Sequence, residues 1–232
     1  MVTRCPLVMQ LRNTEGQECA KIWTGQENEA EAELVDLAKI AETIDKKQKD
    51  LTAVGGAISR EPIYLRIYKQ DFFDLTLVDL PGLTYIGYQG IGPFICSIYT
   101  EYIKNPNSIV LYVTAATTDL TQSQAMEVVG EHDPEWQRTM TVATKVDLRD
   151  ASFVRKFKLV DRGLGAFCVR NKTQAEVESG ETFAQALNKE RVALADPDFD
   201  EIATEQKGIP MLVKALIRHQ REMILQFRPL IR

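Results

Sequence analysis

Short apolar runs alternate with stretches of helical period along the chain, and that alternation predicts an α/β architecture with a largely parallel sheet. Residues Leu7 to Leu11 read as a strand opened by Pro6. Leu34, Leu37, Ile40 and Ile44 fall at helical spacing in a stretch rich in Ala, Glu and Lys, so Asn28 to Lys49 reads as one amphipathic helix. Gly55 and Gly56 end it. Ile63 to Tyr68 and Leu75 to Val78 are two further strands, rich in β-branched and aromatic residues and separated by a short polar turn. Ile109 to Thr114 and Thr139 to Ala143 are apolar or Thr-rich, as expected of strands covered on both faces, and Ala166 to Val169 reads as the last strand. Further helices are expected at Pro93 to Lys104, Ser123 to Glu131, Thr182 to Leu194 and Ile209 to Phe227. No internal repeat or low-complexity linker interrupts the pattern, so one domain is expected over residues 1–207, with residues 208–232 as a helix projecting from it.

Composition narrows the function classes. With 44% hydrophobic and 26% charged residues, the 232 residues suit an ordinary soluble chain able to bury about 70% of its unfolded surface. A formal charge of -5 gives no general attraction to nucleic acid. The four cysteines, Cys5, Cys19, Cys96 and Cys168, form no CxxC pair, and His132 and His219 are the only histidines, too few for a zinc site or a disulfide framework. A reducing, cytoplasmic setting follows. The longest apolar run, from Ile109 to Ala116, is far short of a membrane span, and Met1 is not followed by a signal-peptide pattern.

Candidate chemistry sits where the predicted strands end, the edge at which open α/β sheets bind ligands. Asp79-Leu80-Pro81-Gly82 follows the strand at Leu75. A carboxylate there can hold Mg²⁺ through water, and a glycine lets its backbone N–H approach a γ-phosphate. The same four residues also suit a plain turn, and such a string arises by chance in roughly one chain in 25 of this length. Thr144-Lys145-Val146-Asp147 follows the strand at Thr139. Asp147 can accept from both the ring N–H and the amino group of guanine, which adenine cannot match, while the stem of Lys145 covers the base. The alternative is a capped turn leading into a solvated loop. Two such strings at the ends of successive strands favour a nucleotide site.

These residues resemble the dynamin and Mx large GTPases over nearly the whole chain. Val2-Thr3-Arg4-Cys5-Pro6-Leu7-Val8 resembles that family's switch I and the strand after it. The runs from Ile58 to Tyr68 and from Leu75 to Thr84, which includes Asp79-Leu80-Pro81-Gly82, are similar to its switch II region, and Asp133-Pro134, Gln137-Arg138-Thr139 and Thr144-Lys145-Val146-Asp147-Leu148 continue the match. The resemblance implies a three-layer, P-loop-NTPase-like fold and hydrolysis of GTP with Mg²⁺. It makes Thr3 the switch I threonine that binds Mg²⁺ and helps place the attacking water, Asp79 the magnesium-side carboxylate and Gly82 the γ-phosphate sensor. Thr144, Lys145 and Asp147 would bind the guanine side. Asn171, Lys172, Thr173 and Gln174 match an Asn-Arg-Ser-Gln segment that closes over the base and touches the partner in a nucleotide-dependent dimer, with Lys172 for Arg and Thr173 for Ser as departures.

A larger departure is that the sequence begins at switch I and contains no G-x-x-x-x-G-K-[ST] string; the glycine-rich stretch Gly87 to Gly92 falls where the family has its switch II loop. A P-loop backbone and lysine cradle the β- and γ-phosphates. The expectation is that these residues alone lack the central strand of the sheet, turn over GTP poorly and tend to aggregate. The family polymerises and remodels membranes from the cytoplasmic side, in some members with microtubule association. The helix at Ile209 to Phe227 resembles the one leading from the GTPase domain to the bundle signalling element. Two competing readings are a non-catalytic interaction module that regulates intact relatives, and a fragment that never folds.

Overall fold

Strand β1 (Leu7–Asn13) runs between two partners of opposite sense. It pairs in parallel with β4 (Ile63–Lys69), Leu7 opposite Ile63, and antiparallel with β5 (Leu75–Asp79), Leu7 opposite Asp79. The computed structural model describes residues 3–25, 27–53, 58–82, 91–121 and 123–227, and the chain forms two compact units, Met1–Tyr99 and Thr100–Arg232.

In the first unit, β2 (Cys19–Thr24) and β3 (Glu33–Val35) complete a five-stranded sheet in the order β3-β2-β4-β1-β5. Alternate residues of β1, β2 and β4 point to one face, where Leu7, Ala20, Ile22, Ile63 and Leu65 are buried with Ile44 of helix α1 (Ile40–Ala53). Among the described residues only the β1–β4 pairing is parallel here: β5 runs antiparallel to β1, and β2 and β3, which the apolar pattern did not reveal, run antiparallel to their neighbours. The sheet is therefore mixed.

The helix expected from Asn28 to Lys49 is a correction. Residues 29–31 and 37–39 are single 3₁₀ turns, β3 lies between them, and α1 begins only at Ile40. Two capping side chains explain this: Asn28 accepts from the Ala30 N–H and Asp36 from the Ala38 N–H, each offering the backbone a local alternative to a continuous helix. Leu34 is left 70% exposed on β3. The pair Gly55-Gly56 and the segment 83–90 lie outside the described residues.

Helix α2 (Ile91–Ile103) leads into the second unit, whose sheet is wholly parallel in the order β6 (Val110–Ala115), β7 (Thr139–Thr144), β8 (Ala166–Cys168). Parallel neighbours require crossover connections, and these are supplied by α3 (Gln124–His132), capped by Ser123, and α4 (Phe153–Val160). Strand β7 is buried from Thr139 to Ala143, as its composition predicts. Period two puts Ala143 on a face covered by Phe153, Phe157 and Phe199 and Met140 on the other, against α7 (Ile209–Phe227). Strand β6 departs from the same expectation: it has no second sheet neighbour among the described residues, and Val113 is 56% exposed. The last two helices before α7 are α5 (Gln174–Glu178) and α6 (Phe183–Ala193), capped by Thr173 and Thr182 through reciprocal capping boxes.

Buried Glu190 of α6 ties this region together. Its two carboxylate oxygens accept from the Arg170 N–H at 2.9 Å and the Ile209 N–H at 3.0 Å, and the Gly208 N–H donates to the Cys168 carbonyl at 2.8 Å. The loop after β8 and the first turn of α7 thus share one anchor.

Candidate functional site

The candidate residues fall in two groups, one in each unit. In the first, the antiparallel register of β1 and β5 sets Leu7 opposite Asp79, so the chain entering β1 passes the end of β5. Thr3 reaches across: its hydroxyl donates to the Asp79 carboxylate at 2.6 Å. The loop continues through Leu80 and buried Pro81, whose carbonyl accepts from the Tyr99 hydroxyl at 2.8 Å, to exposed Gly82. A Cβ placed on Gly82 would meet nothing within 4 Å, so packing does not require glycine there. A hydroxyl and a carboxylate in contact at a strand end fit Mg²⁺, which takes few protein ligands and keeps waters and phosphate oxygens for the rest. Among the described residues no group of three or more His, Cys, Asp or Glu is placed to hold a metal ion by itself.

The second group stands at the end of β7. The Thr144 hydroxyl donates to the Thr114 carbonyl of β6 at 3.2 Å, and the Ala116 N–H donates to the Thr144 carbonyl at 2.7 Å. Lys145 then adopts φ 54° and ψ 37°, the left-handed region, at a cost of about 1–2 kcal/mol for a residue with a Cβ. That turn buries Val146 and begins a single 3₁₀ turn, Val146–Leu148, leaving Lys145 exposed and the side chain of Asp147 25% exposed.

Asp147 does not stand alone. Arg170, in the loop after β8, donates from Nε to its carboxylate at 3.1 Å and from Nη2 to Glu176 at 2.7 Å. Lys189 of α6 donates to Glu176 at 2.7 Å and to Glu181 at 2.5 Å. Charges of alternating sign therefore run Asp147, Arg170, Glu176, Lys189, Glu181. Hydrogen bonds from Arg170, then from Lys189, hold the Glu176 carboxyl well below the usual carboxylate range. Its bond to Glu176 raises the Arg170 guanidinium above its ordinary value, and Lys189 is raised by Glu176 and then Glu181.

In the segment Asn171 to Gln174, Asn171 is exposed and Lys172 donates to the Glu181 carbonyl. Thr173 is the N-cap of α5, and the Gln174 amide donates to Glu178 at 2.8 Å. These four residues and Asp147 flank Arg170, which the apolar pattern and the motifs did not single out. One signal was readable: Thr173-x-x-Glu176 is a capping-box spacing, and it places Glu176 beside the Arg170 fork.

The Dynamin family model matches residues 1–146, a span that takes in Thr3, Asp79, Gly82, Thr144 and Lys145 and stops one residue before Asp147. Dynamin-1-like protein of Mus musculus is 32% identical over 91% of this chain and 30% of its own length, and that of Danio rerio 33% identical over 82% and 30%. Interferon-induced GTP-binding protein Mx1 of Mus musculus is 32% identical over 100% of this chain and 38% of its own length. The chain thus spans about a third of the curated relatives it matches. With a family match over more than half of its residues, on an α/β fold that sets a threonine and an aspartate in contact at one strand end, the chain belongs to the dynamin family.

Proposed function

We propose that these residues form the guanine-nucleotide side and switch region of a large GTPase that binds GTP with Mg²⁺ and hydrolyses it to GDP and phosphate. The observation that carries this reading is the contact of Thr3 with Asp79. The two residues are 76 positions apart, the family resemblance implies a role for both at one magnesium ion, and they meet at 2.6 Å. Thr3 Oγ1 and Asp79 Oδ2 would hold the ion and the Gly82 N–H would face the γ-phosphate. Mg²⁺, when bound, neutralises charge on the phosphate oxygens.

On the base side, Lys145 and Asp147 would read guanine. A left-handed Lys145 supports this, since backbone strain of this kind persists where the surrounding structure holds it for a task. Thr144 fixes the start of that turn through β6, and Asn171 to Gln174 would close over the base and take part in self-association of the GTPase domain. The work served is membrane remodelling by the full-length protein, peripherally and from the cytoplasm, with microtubules as a further partner. No helix among the described residues is long and apolar enough to cross a membrane.

The test is base exchange in the full-length protein. Asp147→Asn should weaken GTP strongly and admit xanthosine triphosphate, whose extra carbonyl suits the amide N–H, because sites built on a paired donor reject the wrong partner by roughly 10⁴ to 10⁵. Competition binding with GTP, ATP and XTP on both proteins decides it. An Asn variant that keeps the wild-type preference for GTP over XTP removes Asp147 from the base site.

A further inference from the structure

A carboxylate that must accept two donors from one edge of a base has to present both oxygens in a fixed plane. Asp147 sits on a single 3₁₀ turn whose N-cap, Lys145, makes no side-chain cap bond. What fixes it comes from Arg170. The Arg170 side chain is only 10% exposed, and one atom of its fork, Nη1, is buried with no hydrogen-bond partner. Its backbone N–H is held by buried Glu190, and Glu176, on the far side of the fork, is itself held by Lys189 and by the Thr173 N–H at 2.8 Å. The guanidinium thus meets Asp147 through Nε while Nη2 is tied to Glu176, and the residue's backbone is tied to Glu190. A planar fork held in this way fixes one carboxylate oxygen in place, a task a flexible ammonium performs poorly.

We infer that Arg170 is a positioning residue that sets base specificity: held from behind by Glu176 and Glu190, it orients the Asp147 carboxylate so that both guanine donors are read at once. The inference rests on the reading of Asp147 given above. One oxygen of Asp147 takes the Arg170 Nε–H and still has lone-pair capacity for a base, since an ionised carboxylate accepts at about four sites. Arg170 touches no reacting atom, so its effect belongs in discrimination between bases.

Inosine diphosphate lacks the exocyclic amino group of guanine, so the ratio of GDP to IDP affinity reads the second donor alone. That ratio is to be measured by competition against a fluorescent guanine nucleotide on the full-length wild type and on Arg170→Leu, Arg170→Lys and Glu176→Gln, with circular dichroism as a check of folding. Arg170→Leu should lower the ratio about tenfold, the effect of one charge-assisted hydrogen bond lost in a partly desolvated site. Arg170→Lys should restore part of it, and Glu176→Gln, which keeps the arginine but loosens its anchor, should lower it less than Arg170→Leu. If Arg170→Leu does not fold, the Glu176→Gln ratio decides alone.

An Arg170→Leu protein that loses GDP and IDP affinity equally, or that binds GDP more tightly, overturns the positioning role and leaves Asp147 as the base reader. Wild type that prefers GDP over neither IDP nor ADP overturns the base-site reading and this inference together.

Discussion

Gly163 lies so close beneath Trp136 that a Cβ on the glycine would collide with the tryptophan carbonyl oxygen and come within 2.8 Å of the Thr139 carbonyl oxygen. Gly163 has φ +63°, and the guanidinium of neighbouring Arg162 sits 3.9 Å from the Trp136 ring centroid. The loop before β8 is thereby pressed onto the loop before β7, setting the start of the strand that ends at Thr144, just before Lys145.

Gly163→Ala should destabilise the second unit by about 2–3 kcal/mol, combining left-handed strain with overpacking against backbone, and lower the melting temperature by about 5–10 °C. Gly180 has φ +72° but nothing within 4 Å of a built Cβ, so Gly180→Ala should show the strain alone, about 1 kcal/mol. Thermal melts of the two variants test this. Equal losses would mean that the approach to Trp136 contributes nothing.

Leu34 and Ile44 share the helical spacing that predicts one helix, yet Leu34 is 70% exposed on β3 and Ile44 is 4% exposed against the sheet. Leu34→Thr should stay within about 0.5 kcal/mol of wild type, whereas Ile44→Ala should cost about 2–5 kcal/mol. Urea denaturation of each variant measures the difference. Similar losses at both sites would restore the single helix.

Glu176 is held below its ordinary pKa of 4.5 by Arg170 and Lys189. A carboxyl depressed in the folded state adds stability that is fully present above the unfolded pKa and is lost as pH falls through the folded one. The gap in melting temperature between wild type and Glu176→Gln should therefore be constant near neutrality and shrink as pH drops below about 4.5. Melts of both proteins from pH 7 downward would show it. A gap that is the same at every pH would mean the ion pairs of Glu176 add nothing.

Thr3→Ser keeps the hydroxyl that meets Asp79, and Thr3→Ala removes it. In the full-length protein, Thr3→Ala and Asp79→Ala should each lower magnesium-dependent GTP hydrolysis by roughly 10- to 100-fold, while Thr3→Ser stays near wild type. Rates measured across a magnesium titration decide the matter. Equal loss in Thr3→Ser and Thr3→Ala would point to the methyl group instead.

Much of the fold was legible where apolar residues recur at a strand or helix period. Thr139 to Ala143 and the strand at Leu75 fall where they were expected, and α7 keeps its expected bounds. What escaped was short or locally capped. β2 mixes Lys21 with buried Ala20 and Ile22, and β3 has three residues, too few for a period to show. α4 carries Phe153, Phe157 and Val160 at helical spacing and could have been found. At the site, Asp79 and Asp147 were visible through motifs, but Arg170 was not: a cation brought beside Asp147 across 23 positions leaves no mark in spacing.

The shared anchor at Glu190 has a consequence for whatever pulls on the C-terminal helix. One carboxylate holds both the backbone of Arg170 and the first turn of α7, so a displacement of Ile209 that breaks its bond also loosens the support behind the Arg170–Asp147 ion pair. Linkage makes such an effect symmetrical: if occupancy of the base site stiffens that turn, a load or partner that stiffens the turn must favour occupancy by the same factor. Under the proposed function, α7 is a handle on nucleotide affinity, and a force applied at its far end would change how long guanine stays bound.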